Sequence, residues 1–153
     1  MRRIRLLVPL LIVALASCAK TPDRAAALSD AAVQLPAVPG RPAVAYFTLT
    51  AGADAKGALV AVNVAHFARA EMHQSKMTEG AMTMDTVPGV PLTPGKPIIF
   101  APGGYHVMLF DGDGTLKPGD HTDVTIKLDS GATITTPAKV TAQGSNDMAG
   151  MKM

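Results

Sequence analysis

The chain has 153 residues, 48% of them hydrophobic and 17% charged, and carries a formal net charge of +2. That length suits one domain. The charge gives no strongly basic surface, which argues against nucleic acid as a partner, and the lone cysteine, Cys18, excludes an internal disulfide framework.

Met1-Arg2-Arg3-Ile4-Arg5 is basic, and Leu6 to Ala16 is an unbroken apolar run. The run is shorter than the ~20 residues a membrane-spanning helix needs, so residues 1–17 read as a signal peptide. Leu15-Ala16-Ser17-Cys18 resembles the bacterial lipobox, in which cleavage before the cysteine is coupled to its acylation. Cys18 is then a lipid anchor, and the expected location is periplasmic and membrane-tethered. Ala19 after the anchor is the kind of residue that directs a Gram-negative lipoprotein to the outer membrane. Loss of Arg2, Arg3 and Arg5 leaves 11 basic residues against 12 acidic ones, a net charge of −1. No thiol then remains to act as nucleophile or thiolate ligand.

Residues 18–29 are Ala-rich without strand alternation and are read as a tether. Residues 30–142 read as the folded domain. Ala43 to Thr50 is rich in β-branched and aromatic residues, and Ala58 to Ala65 alternates. Ala81 to Thr86, Pro97 to Phe100, Tyr105 to Phe110, Asp123 to Leu128 and Thr133 to Val140 continue the series. Turn signals separate them: Pro88-Gly89, Pro94-Gly95, Pro102-Gly103-Gly104, Asp111-Gly112-Asp113-Gly114 and Ser130-Gly131. Short strands with a turn about every ten residues predict an all-β sandwich. Residues 143–153 are small, polar and methionine-containing, and are read as a flexible tail.

Four residues carry chemistry: His73, Met84, His106 and Met108, spaced His-x10-Met-x21-His-x-Met. Thioether sulfur is a soft donor that favours Cu(I), and imidazole binds copper in either oxidation state. In a strand, residues i and i+2 share a face, so His106 and Met108 project together, roughly 7 Å apart at Cα. The interval from His73 to Met84 suits a hairpin that sets two strands side by side. Taken singly, each methionine could as well be core packing.

The segments Glu71-Met72-His73, Gly80-Ala81-Met82-Thr83-Met84 and Pro102-Gly103-Gly104-Tyr105-His106-Val107-Met108 resemble the PCuAC family of periplasmic copper chaperones. The family signature is H(M)-x10-M-x21-H-x-M. Ala45 to Thr50 is similar to its early strand, and Leu116-Lys117-Pro118-Gly119-Asp120 to its L-K-x-G-D turn. The chain departs at Gln74, where a glutamate is common, at Asp111 to Gly114, and in having a lipobox. The resemblance implies a cupredoxin-like Greek-key β-sandwich, with Cu(I), or else Cu(II), held by His73, Met84, His106 and Met108. It also implies an acceptor such as the apo-CuA subunit of cytochrome c oxidase, alongside a Sco-type protein.

Met148, Met151 and Met153 form either a thioether arm for Cu(I) or Ag(I), or a tail in which methionine is incidental. Met72, Met77 and Met82 flank the site and are expected to pack, the alternative being that one is an auxiliary ligand, and His66 and His121 are expected to be surface or turn residues. Asp111 to Gly114 lacks the downstream spacing and glutamate of a calcium loop and reads as a tight turn. Blue-copper electron transfer is excluded by the missing thiolate. No nucleophile elbow, HExxH or phosphate loop points to an enzyme. Copper storage or resistance on the same fold, and a structural sandwich without metal, stay open at this point.

Overall fold

The computed structural model describes residues 26–53 and 55–144. Ten strands account for the regular structure among them: β1 (Ala26–Leu35), β2 (Ala43–Ala51), β3 (Ala58–Val64), β4 (Phe67–Thr78), β5 (Ala81–Thr86), β6 (Val90–Pro91), β7 (Pro97–Phe100), β8 (Tyr105–Gly112), β9 (His121–Leu128) and β10 (Thr133–Ala142). They form one continuous hydrogen-bonded series in the order β5-β4-β8-β7-β2-β1-β10-β9-β3-β6. The series closes over a single core that takes Phe47, Leu49, Met72 and Val107 from one half and Leu59, Val62, Val124, Ile126 and Val140 from the other. This is the all-β sandwich the sequence predicts.

The period-two pattern explains which side chains face inward. In β9, Thr122, Val124, Ile126 and Leu128 are buried, while His121, Asp123 and Lys127 are exposed. In β2, Ala43, Ala45, Phe47, Leu49 and Ala51 are all buried. Phe47 stacks on Phe100 of β7 with ring centroids 4.3 Å apart. Burying such a side chain stabilises by roughly 1.5–3 kcal/mol, and the twenty-one buried residues of this cluster form the core with no disulfide among the described residues.

Two sequence boundaries are corrected. The tether read over residues 18–29 ends earlier, because β1 begins at Ala26 and pairs antiparallel with β2 from Ala26–Ala51 onward. Its run Ala-Ala-Leu-Ser-Asp has poor strand propensity, but β2 on one side and β10, in parallel, on the other supply the ladder. A register shift between Ser29 and Ala32, with Asp30 at φ 53°, breaks the alternation that would have announced the strand. At the other end, Gln143 is tied to the domain: its N–H donates to Leu35 O, and its side-chain oxygen accepts from Ala37 N. Cys18, Met148, Met151 and Met153 lie outside the described residues.

Candidate metal centre

The hairpin β4–β5 and the neighbouring strand β8 build the candidate site. Glu79 and Gly80 turn the chain, both with positive φ (51° and 83°), Gly80 without steric cost. β4 then pairs antiparallel with β5, and on its other edge with β8. β4 runs on to Thr78, so the hairpin turn is confined to Glu79 and Gly80.

Register fixes the rest. His73 lies directly opposite His106, and Glu71 opposite Met108. Across the other edge His73 faces Thr86, and Ser75 faces Met84. Counting by two along each strand puts Glu71, His73, Ser75, Met84, His106 and Met108 on one face. Met72 and Val107, a cross-strand pair between these residues, point to the opposite face and join the core. All four residues singled out from the sequence therefore share the outer face of three adjacent strands. Met84 sits diagonally across from His73, a separation of roughly 7–8 Å between Cα positions.

The two imidazoles form the buried part of this face. Their ring centroids are 5.8 Å apart at 29°. His106 is 5% exposed and the His73 side chain 15%. His106 Nδ1–H donates to Gly104 O at 3.0 Å, which leaves Nε2 with its lone pair. That nitrogen is buried and has no hydrogen-bond partner. His73 Nε2–H donates to Glu71 Oε2 at 3.4 Å, and its Nδ1 is likewise buried without a partner. A buried polar atom left unsatisfied ordinarily costs about 1–3 kcal/mol, so two on facing rings call for a reason. Metal-ligating histidines characteristically donate through one nitrogen to a carbonyl or carboxylate and coordinate through the other. Both rings have that arrangement.

Sequence reasoning passed over Glu71, although it stands two residues before His73 in the same strand and so shares its face. Its carboxylate accepts from His73 and forms an ion pair with Arg69. The His73 hydrogen bond first, and then Arg69, hold the Glu71 carboxyl below its ordinary range. Arg69 is fixed in turn over the Phe110 ring, 4.0 Å from its centroid. The Gly104 carbonyl came as part of the Pro-Gly-Gly turn but gave no sign of its role.

Among the described residues no three His, Cys, Asp or Glu side chains converge as a metal site; the soft groups on the face of the two histidines are the thioethers of Met84 and Met108. Met84 is 54% exposed, and Met108 is half-buried beside Glu71. Met72 packs in the core as expected, whereas Met77 and Met82 do not pack: both lie exposed on the same face as His73.

A cleft of about 410 Å³ lies elsewhere, lined by Arg41, His66, Phe67, Phe110 and Asp113 among others. It sits at the Phe67–Gly112 end of the β4–β8 ladder, six residues along β4 from His73, roughly 20 Å at strand rise. His66 occupies a turn, as expected, with φ 73°. Its Nδ1 is 2.8 Å from Asp113 Oδ2. Asp113 also accepts from the Thr115 hydroxyl at 2.7 Å and its N–H at 3.0 Å. These bonds, Thr115's foremost, pull the Asp113 carboxyl down to about 2. These bonds tie the His66 turn to the turn at Asp111 to Gly114.

Comparison with solved structures gives the same fold. The copper-bound PCuAC domain from PmoF2 superposes with a TM-score of 0.63 at 22% identity, over 77% of this chain and 93% of that one. The apo PmoF2 PCuAC domain gives 0.65 at 21% identity, over 79% and 93%. The solution structure of apo-DR1885 from Deinococcus radiodurans gives 0.60 at 23%, over 94% and 97%. At these identities the likeness establishes the fold, a cupredoxin-like β-sandwich. No curated protein matches. The family model for LpqE-like lipoproteins matches residues 26–140, the whole span from β1 almost to the end of β10, and the chain therefore belongs to the LpqE-like family.

Proposed function

We propose that this protein binds Cu(I) through His73, Met84, His106 and Met108 and carries it as an extracytoplasmic metallochaperone. The observation that carries the reading is the pair of buried, unpartnered imidazole nitrogens, His73 Nδ1 and His106 Nε2, on a face that also bears Met84 and Met108. A solved domain of the same fold is copper-bound. Two imidazoles and two neutral thioethers suit Cu(I), and thioether bonds need no deprotonation. They also survive an oxidising compartment without disulfide loss. The half-exposed Met84 gives an incoming ligand a side from which to displace it, so the site can pass on its ion by exchange. The chain acts as a carrier and not as an enzyme.

The acceptor in this reading is a thiolate-rich site such as the apo-CuA subunit of cytochrome c oxidase, with a Sco-type protein as the other candidate. Cys18 holds the carrier to a membrane by its lipid, and the LpqE-like family is itself described as a lipoprotein family.

Competition titration of Cu(I) against a chromophoric chelator tests the binding. The native protein is expected to bind more tightly than micromolar, and a His106→Ala/Met108→Ala double variant to lose that site. No binding tighter than micromolar, or equal binding by the double variant, would overturn the assignment. Delivery is tested by mixing holo-protein with an apo-CuA domain. Copper retained against excess acceptor would refute delivery and point to storage or resistance.

A further inference from the structure

Met77 and Met82 lie directly opposite each other across the β4–β5 hairpin. Directly opposed residues bring their Cβ atoms to about 4.5–5.5 Å, within reach of two thioether side chains closing on one ion. Met77 is 68% and Met82 60% exposed. β8 follows β4 only as far as the Gln74–Tyr105 pair, so this end of the hairpin projects past its neighbour. Every residue of β5 is exposed. Core packing does not account for either methionine, and exposed apolar side chains on an edge hairpin are a liability that folds usually suppress with charge.

We propose that Met77 and Met82 form a second, thioether-only site for a soft monovalent cation, Cu(I) or Ag(I), separate from the histidine site. The chemistry follows from the donors: neutral thioethers suit soft monovalent ions, whereas zinc takes thiolate, imidazole or carboxylate ligands and calcium and magnesium take oxygen. The placement follows from the register. The Met77–Met82 pair, then Ser75–Met84, then His73–Thr86 are successive same-face rows of one ladder. The pair stands four residues along β4 from His73, roughly 13 Å, with Met84 between. The pair therefore acts as an entry point that hands its ion through Met84 to the histidines. This last step rests on the function proposed above; the second site does not.

The test uses methyl-13C-methionine NMR on the intact protein during Ag(I) titration. Residue-resolved methyl signals separate this pair from Met148, Met151 and Met153. In the native protein the Met84 and Met108 methyls are expected to shift first, and those of Met77 and Met82 with a second equivalent, bound at least about tenfold more weakly for want of imidazole. In His106→Ala/Met108→Ala the Met77 and Met82 shifts persist; their persistence there keeps this proposal standing even where the histidine site fails. Met77→Leu/Met82→Leu, which keeps volume and apolarity, abolishes the second equivalent while the first binds as before. Met77 and Met82 methyls that stay silent up to millimolar Ag(I), in native and variant alike, would overturn the site. The entry role requires stopped-flow loading of the first equivalent to slow severalfold in the leucine pair at unchanged equilibrium affinity; an unchanged rate refutes it.

Discussion

Replacing Glu71 by alanine isolates what the neighbouring carboxylate contributes to the proposed copper site. Glu71 accepts the Nε2–H of His73 and so selects the tautomer whose Nδ1 lone pair is free. Removing such an outer partner typically lowers metal affinity by about 10–100-fold. Two features put this case at the lower end. The bond is long, 3.4 Å, near the limit at which a hydrogen bond still counts. The Glu71 side chain is also 33% exposed, so water can replace it in part. The expected loss in Cu(I) affinity is about tenfold. Glu71→Gln keeps an oxygen acceptor and should lose much less. Since Glu71 is outside the core, the unfolding midpoint should not move for either variant. Competition titration gives the affinities, and 15N shifts of the His73 ring report the tautomer. The reasoning is refuted if Glu71→Ala binds Cu(I) as tightly as the native protein and keeps a single Nε2–H tautomer.

Met84→Leu removes a proposed thioether ligand that is half in solvent, so Cu(I) affinity should fall by at least about tenfold while urea denaturation is unaltered; a change in stability with intact affinity would mean Met84 is packing. Phe47→Ala empties a fully buried position stacked on Phe100 and should cost about 3–5 kcal/mol in urea denaturation. The carboxyl of Asp113 is lowered from 3.8 to about 2, so the native state favours its ionised form. The stabilisation is complete above pH 3.8 and is lost as pH falls from there through about 2. Asp113→Asn should therefore flatten the unfolding-midpoint curve across that window, and an unchanged acid slope would show that its hydrogen bonds add nothing. Gly57 has φ 90°, and an added Cβ would lie 2.0 Å from Asp129 Oδ1, so Gly57→Ala should lower the melting temperature.

The sequence by itself determined the sandwich, because alternation in segments such as Thr122 to Leu128 states which side is buried. It also determined the residue types and their intervals, on which the proposed soft-metal chemistry rests, and it placed His106 and Met108 on one face by the two-residue period alone. It could not show where β1 begins, because its first residues have poor strand propensity and take their ladder from β2 and, farther along the chain, β10. Tertiary structure alone decided three things. Strand register set His73 opposite His106 and Met84 on their face, a relation between segments that no local spacing encodes. Partnering left one nitrogen of each ring bare while the Gly104 carbonyl and Glu71 occupied the other. Exposure divided the other methionines among the described residues: Met72 turned into the core, and Met77 and Met82 out to solvent on the face of His73. A methionine is identical on paper in either place, and only the face of the folded strand decides whether its sulfur fills a gap or meets an ion.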